Sequence, residues 1–173
     1  EAALIALNIP AGIYRQRFAF QSWKDYDADL FDELYDEDTQ RPFEHKIYGS
    51  DISRQAIAIA SKNVESAGLT KYIHLKAKAV QDIVTTVGNE GLLMTNPPYG
   101  ERLLTRKEIV SLYRDLGEKY KSLNDFSMYV LTSVTDFEKL VKKPADKKRK
   151  IYNGKLECTY YTMLGAKPQK DEN

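Results

Sequence analysis

Residues 46–68, KIYGSDISRQAIAIASKNVESAG, decide the fold class because they join a short strand to a capped helix. Lys46–Gly49 is a strand candidate that ends at Ser50-Asp51. Ser53 is suited to cap the following helix, since its hydroxyl can accept a hydrogen bond from the first turn, and Gly68 is suited to end it. The apolar stripe of this helix consists of Ile57, Ala60 and Val64. The stretch therefore predicts one strand–helix unit.

The alternation continues along the chain. Further predicted strands are Ile73–Ala79, Gly91–Thr95 and Ser127–Ser133, and further predicted helices are Glu1–Asn8, an acidic helix around Leu30–Tyr35, and Glu108–Ser122. Residues 148–164 predict two strands around a turn at Asn153-Gly154. Strands that alternate with helices favour an α/β fold, with a mostly parallel sheet covered by helices on both faces. The last two strands would add an antiparallel hairpin.

Length and composition bound the function. The 173 residues suffice for one domain, expected at 1–167, with an acidic helical insertion at about 24–45 and a polar tail at 168–173. The single cysteine, Cys158, excludes an internal disulfide and fits a reducing, cytoplasmic location. With two separated histidines and no long apolar run, we expect neither a metal site nor a membrane segment. The sequence does not indicate an oligomeric state.

Asn96-Pro97-Pro98-Tyr99 follows an apolar strand directly. Ligands of open α/β sheets bind beyond the carboxyl ends of strands. The prolines remove two backbone donors, so the Asn96 side-chain oxygen and the Pro97 carbonyl remain as acceptors. These acceptors can orient the exocyclic amino group of a base, while Tyr99 offers a ring for stacking. The tetrapeptide predicts a catalytic site; the alternative is a proline-rich turn.

An acidic residue at the end of an earlier strand indicates a second ligand. Asp51, followed by Ile52, can accept hydrogen bonds from both ribose hydroxyls of an adenosine-type ligand, or it can serve as a turn residue. Gln81 and Asp82 can contact the adenine ring of such a ligand, or they can lie in a solvated loop. Together with Asn96, these residues form the predicted cofactor site.

Six stretches resemble one family of RNA methylases, whose full-length members carry an RNA-binding THUMP domain ahead of a class I, Rossmann-like catalytic domain. The stretches are EAALIALNIPAGIYR, FAFQSW, IYGSDIS, TNPPYGERL, TDFEK and KKRKIYNGKLEC. The last resembles the end of the domain that methylates guanine N2 in large-subunit rRNA. By this resemblance the cofactor is S-adenosylmethionine, Asp51 binds its ribose, Asp82 lies near its adenine, and Asn96–Tyr99 hold the target base.

The resemblance implies methylation of guanine N2 in 23S rRNA. Adenine N6 in DNA or RNA is the alternative, because the tetrapeptide suits any planar amino group. A non-catalytic RNA-binding scaffold is an alternative of another class. In the family, a strand and a glycine-rich turn precede the Glu-Ala-Ala helix, which here begins at Glu1. We therefore expect this first strand and turn to be missing, and the fragment alone to bind cofactor poorly and to be inactive.

The segment Lys142–Lys150 carries six Lys or Arg side chains within nine residues. Such a segment can be a solvated loop, or it can contact RNA phosphates. Arg102, three residues after Tyr99, can contact the base or its phosphates, or it can pair with Glu101 or with the sheet edge. The predicted RNA contacts are Arg102, Lys147, Lys148, Arg149 and Lys150.

Overall fold

The computed structural model describes residues 1–10, 12–36, 40–83, 90–99 and 104–165. The chain divides into two compact units, Glu1–Lys78 and Ala79–Asn173. Each unit combines helices with a small sheet, and each is described by itself. None of the described helices is long and apolar enough to cross a membrane.

The first unit contains a two-stranded parallel sheet. Its elements in chain order are α1 (Ala2–Leu7), α2 (Ala28–Asp36), β1 (Ile47–Asp51), α3 (Arg54–Ser66) and β2 (Ile73–Ala77). Ile47 lies opposite Ile73, and Asp51 lies opposite Ala77. Because the strands are parallel, Asp51 and the end of β2 share one edge of the sheet.

The predicted caps of α3 are confirmed. The Ser53 hydroxyl accepts a hydrogen bond from the Ala56 N–H at 3.2 Å. Gly68 follows the helix with a φ of +66°, a backbone conformation that L side chains rarely adopt. The core of this unit lies between α1 and the chain after α3, and its buried residues are Ala3, Leu4, Leu7 and Leu69.

The predicted acidic helix is α2, and an aromatic cluster packs around its apolar side. The Phe31 ring lies 5.7 Å from the Phe20 ring and 5.5 Å from the Tyr35 ring, measured between centroids. Asp29, Asp32 and Glu33 are exposed. This arrangement agrees with the expected solvated acidic face.

The second unit contains a four-stranded sheet in the order β3-β4-β6-β5. Its elements are β3 (Gly91–Thr95), α4 (Arg106–Lys121), β4 (Phe126–Thr132), α5 (Phe137–Val141), β5 (Lys147–Asn153) and β6 (Leu156–Met163). β3 and β4 are parallel, whereas β6 is antiparallel to both β4 and β5. The α/β class, the parallel pairs and the C-terminal hairpin are confirmed, but the strands belong to two sheets rather than one.

One face of the second sheet packs against α4 and α5. Alternate residues of β4, Met128 and Val130, are fully buried there with Tyr113, Leu116 and Phe137. On β3 the alternation leaves Leu92 and Met94 on the other face, each 70% exposed. In the described residues of this unit, the helices therefore cover one face of the sheet.

Two details differ from the sequence prediction. β5 extends through Asn153, so the hairpin turn is Gly154-Lys155 rather than Asn153-Gly154. Gly154 has a φ of +62° at the first central position, which suits a two-residue hairpin loop. The helix α5 was not predicted, because its five residues are too few to show a helical period.

Gly117→Ala is expected to destabilise the second unit. A Cβ atom at position 117 would lie 2.7 Å from the Val141 backbone, where α4 meets α5. The required backbone shift is expected to cost about 1–3 kcal/mol, more than alanine gains within a helix. Urea unfolding followed by circular dichroism measures the change. Ser111→Ala, at an exposed position of the same helix, is the control; unchanged or increased stability of the Gly117 variant would contradict the proposed packing.

Candidate functional site

The Asn-Pro-Pro-Tyr tetrapeptide lies at the carboxyl end of β3, as predicted. The strand ends at Thr95, which pairs with Val130 of β4, and the chain then leaves the sheet. Asn96 is exposed and Pro97 is buried. No hydrogen bond joins the Asn96 side chain to any residue in the described part of the chain. Its amide oxygen is therefore available as an acceptor at the edge of the sheet.

Tyr99 is held at both its ring and its hydroxyl. The half-buried ring packs against the core of the second unit. Its hydroxyl accepts a hydrogen bond from the Asn153 side-chain amide at 3.3 Å. The C-terminal hairpin therefore contacts the tetrapeptide.

A buried pair of hydroxyl groups lies in the core of the same unit. The Tyr113 hydroxyl and Thr132 Oγ1 are 2.6 Å apart, and Thr132 Oγ1 also accepts the Val134 N–H at 3.0 Å. Burial raises the pKa of Tyr113 to about 12, and the nearby Tyr99 phenol acts in the same direction. Tyr113 therefore stays neutral at physiological pH and can serve as a hydrogen-bond partner.

Asp51 is the last residue of β1 and is exposed. One of its carboxylate oxygens accepts the Ser53 N–H at 2.7 Å, which turns the chain into α3. The other oxygen has no hydrogen-bond partner among the described residues. The neighbouring Ile52 side chain is 79% exposed. A free carboxylate oxygen beside an exposed apolar surface fits a ribose and the flat ring of a nucleoside.

Gln81 and Asp82 lie in a short 3₁₀ helix, Val80–Asp82, that follows β2 along the chain. Both side chains are exposed, while Val80 packs against the core of the second unit. The predicted cofactor residues are thus divided between the units: Asp51 and Ile52 belong to the first, and Gln81, Asp82 and Asn96 to the second. Their role at a common site stays a prediction.

Residues 147–150 of the basic segment are exposed and begin the edge strand β5, and their charges fall into two sets. Lys148 Nζ contacts Glu138 at 2.7 Å, and Lys150 Nζ contacts Glu157 at 3.0 Å. Hydrogen bonds to these carboxylates raise the pKa of both lysines. Within the described residues no ion pair involves Lys147 or Arg149. Arg102, also predicted to bind RNA, lies outside the described residues.

Several contacts near the site were not predicted. Glu138 of α5 accepts the Ala145 N–H at 2.8 Å as well as the Lys148 ammonium, and these bonds lower the pKa of Glu138. Arg106, at the start of α4, pairs with Asp136 before α5. The contact of Asn153 with Tyr99 was also missed. The Arg106–Asp136 and Asn153–Tyr99 contacts join residues 30 and 54 positions apart, so local periodicity carries no signal for them.

Among the described residues, no group of three or more His, Cys, Asp or Glu side chains could hold a metal ion. The described polar groups of the candidate site are amide, hydroxyl, carboxylate, ammonium and guanidinium groups. These groups suit recognition of a nucleoside and of phosphates.

Comparison with solved structures shows that the fold is that of the class I methyltransferases. The chain superposes on the methyltransferase-like protein SMU.472, solved in complex with SAH, with a TM-score of 0.87 and 38% identity; the match covers 97% of this chain and 45% of that one. A Listeria monocytogenes protein described as a predicted N6-adenine-specific DNA methylase gives a TM-score of 0.82 and 35% identity, covering 95% of this chain and 43% of that one.

The chain belongs to the family of RMKL-like methyltransferase domains, UPF0020, whose model matches residues 1–162. It is 37% identical over 180 aligned residues to the ribosomal RNA large subunit methyltransferase K/L of Shewanella amazonensis. That match covers 99% of this chain and 25% of the relative, so the chain spans about a quarter of the length of this curated protein. The resemblance inferred from the sequence motifs is confirmed.

Tyr113→Phe and Thr132→Val test the buried hydroxyl pair. Removing the Tyr113 hydroxyl deletes one hydrogen bond, which is expected to cost about 1 kcal/mol of unfolding free energy. Thr132→Val also leaves the Val134 N–H without its acceptor and is expected to cost more, about 1–3 kcal/mol. Urea denaturation measures both. If Tyr113→Phe proved the more destabilising of the two, the assignment of Thr132 as the shared partner would be incorrect.

Proposed function

We propose that this chain is the catalytic part of an enzyme that methylates an exocyclic base amino group in RNA, at guanine N2 of 23S rRNA. The observation that carries the proposal is the exposed Asn96 side chain within Asn-Pro-Pro-Tyr, at the carboxyl end of β3, in a chain of the RMKL-like methyltransferase family. The name of the Shewanella relative, a large-subunit rRNA methyltransferase, supports RNA as the substrate.

S-adenosylmethionine is the proposed methyl donor, and it supplies a methyl group activated by its sulfonium. The SAH complex of SMU.472 supports this assignment. In the first unit, the free carboxylate oxygen of Asp51 suits the ribose hydroxyls, and the exposed Ile52 side chain suits the adenine ring. Gln81 and Asp82 are exposed and can offer polar contacts to the edge of that ring.

Asn96 and Pro97 are proposed to orient the target amino group. An amino group conjugated with a base ring has two N–H donors and a weakly nucleophilic lone pair. The Asn96 amide oxygen and the Pro97 carbonyl can each accept one N–H, which turns the lone pair toward the methyl group. With the methyl donor bound, a new N–C bond would form as the methyl–sulfur bond breaks, and the proton lost from the nitrogen would pass to water. Positioning and electrostatic stabilisation do this work without a strong base.

Pro98 and Tyr99 are proposed to keep the base in place. Pro97 and Pro98 limit the backbone freedom of the loop, since each ring fixes one φ angle. The half-buried ring of Tyr99 can stack on a base that has left its helix. Adenine N6 methylation is the second candidate, because the same acceptors suit that amino group and the Listeria neighbour is described as an N6-adenine methylase.

Asn96→Ala in the natural protein that carries this sequence is expected to lower methyl transfer at least about 100-fold, because one of two orienting acceptors is removed. The assay follows labelled methyl groups into unmodified rRNA, and nucleoside analysis separates N2-methylguanosine from N6-methyladenosine. Circular dichroism should be unchanged, since Asn96 is exposed.

Asn124→Ala is the matched control, because Asn124 is exposed and lies at the amino end of β4, away from the carboxyl ends of β3 and β4. Near-normal turnover of the Asn96 variant would overturn the mechanism. If the product were N6-methyladenosine, the target base would be adenine rather than the guanine proposed here. Absence of transfer by the unaltered protein, with RNA binding retained, would favour a non-catalytic scaffold.

The basic strand β5 is proposed to contact RNA phosphates. Lys147 and Arg149 alternate along one face of the strand and have no carboxylate partner in the described part of the chain, so both can bind phosphate without first breaking an ion pair. Lys148 and Lys150 are held by Glu138 and Glu157 and contribute less. Arg102 stays a predicted contact.

The double variant Lys147→Ala/Arg149→Ala is expected to weaken RNA binding at low salt. It should also reduce the slope of log affinity against log salt concentration by about 1.4, or roughly 0.7 for each phosphate of a single strand that is no longer neutralised. Fluorescence anisotropy with a labelled rRNA fragment measures both quantities. Lys148→Ala/Lys150→Ala removes the same charge and is expected to have a smaller effect. Equal effects of the two double variants would show that net charge, rather than these two side chains, determines binding.

A further inference from the structure

The hydrogen bond between Asn153 and Tyr99 joins residues 54 positions apart in the chain. It follows from the order of the strands. β3 and β4 run in parallel, so their carboxyl ends share one edge of the sheet. β6 is antiparallel to β4, with Thr159 opposite Thr132, so β6 begins at this edge and β5 ends there. The tip of the hairpin is therefore brought to the edge where the chain leaves β3 toward Tyr99.

Asn153 is itself well placed to hold another side chain. It forms the last pair of the hairpin, opposite Leu156, and the two-residue turn follows directly. The backbone at residue 153 is thereby restrained on both sides. A short side chain on a restrained backbone loses little further entropy when its amide donates a hydrogen bond.

Tyr99 has two complementary restraints. Packing against the core limits movement of the ring body, but a half-buried ring can still pivot about that point. The hydrogen bond at 3.3 Å restrains the opposite, hydroxyl end. Packing and hydrogen bond together define the plane of the ring, and that plane decides whether a base can stack on it.

We propose that Asn153 is a positioning residue, which holds the Tyr99 ring in the orientation that receives the target base. This inference rests on the proposed function, in which Tyr99 stacks on the base. The hairpin would then have two roles: its basic residues bind phosphate, and Asn153 orients the Tyr99 ring. Lys147 and Arg149 lie on the same strand as Asn153, so phosphate binding along β5 and orientation of the Tyr99 ring depend on one rigid element.

The first experiment detects the hydrogen bond without any need for catalysis. 3-Fluorotyrosine is placed at position 99 of the full chain, and its ¹⁹F resonance is recorded for the unaltered protein and for three variants. Asn153→Ala is expected to shift and broaden the resonance, because the hydroxyl no longer has its partner. Asn153→Asp is expected to leave a narrow resonance, because a carboxylate can accept the phenol proton.

Lys155→Ala is the matched control. Lys155 is an exposed residue of the same turn, and no hydrogen bond or ion pair joins its side chain to a described residue. Its removal should leave the resonance unchanged. Circular dichroism of all variants verifies that the hairpin is folded. An Asn153→Ala spectrum identical to that of the unaltered protein would overturn the proposal.

The second experiment measures steady-state methyl transfer in the natural protein that carries this sequence. Asn153→Ala is expected to lower kcat about 10-fold while the KM for RNA changes less than about 2-fold, because ring orientation matters at the reacting base and phosphate contacts remain. Asn153→Asp should recover most of the rate. A purely structural defect would not be rescued in this way.

The outcomes separate this proposal from the proposed function. If the unaltered protein transfers no methyl group, the proposed function fails, and the ¹⁹F spectra still decide whether Asn153 holds the ring. If transfer occurs and Asn96→Ala abolishes it, but Asn153→Ala keeps the normal kcat despite a shifted resonance, the positioning role is overturned and the proposed function stands.

Discussion

The antiparallel pairing of β6 with β4 is the constraint on which the second unit depends. Met128 pairs with Met163 and Val130 with Tyr161, and all four side chains are buried against the helices. A shift of one residue in this register would turn these side chains to the opposite face, so the core specifies the register strongly. The same register carries the hairpin tip to the carboxyl ends of β3 and β4. Packing at the centre of the sheet thereby determines which side chains meet at its edge.

Much of the fold could be predicted because its signals are local. The α3 caps need only a serine and a glycine at the ends of an apolar stripe, and both act as expected. The strands β3 and β4 are apolar runs bounded by polar residues. The division of the strands between two sheets could not be predicted, since strand pairing is decided by contacts between distant segments. The helix α5 was not recognised because its five residues are too few to show a helical period.

In the candidate site, too, the features with local signals could be predicted, and those that depend on contacts between distant segments could not. The position of Asn96 follows from a strand that ends directly before it, and Asp51 is placed by the same argument. The roles of both residues stay predictions. Asn153 was recognised in the sequence only as part of a turn, because its relation to Tyr99 depends on the antiparallel return of β6. When two side chains are brought into contact only by the order of the strands in a sheet, the residues next to each of them in the sequence show no pattern that predicts the contact.

The four consecutive cations at the start of β5 differ in their surroundings, because the strand places them on two different faces. Lys147 to Lys150 are four consecutive cations and are equivalent at the level of composition. Along a strand, successive side chains point to opposite faces. Here Lys148 and Lys150 meet Glu138 and Glu157, while Lys147 and Arg149 keep their charge uncompensated by any described carboxylate. The paired lysines link β5 to α5 and to β6, while the unpaired cations extend from the other face of the strand. A basic strand can therefore bind a polyanion even when some of its cations form ion pairs with carboxylates. The condition is that the unpaired cations lie together on the other face of the strand.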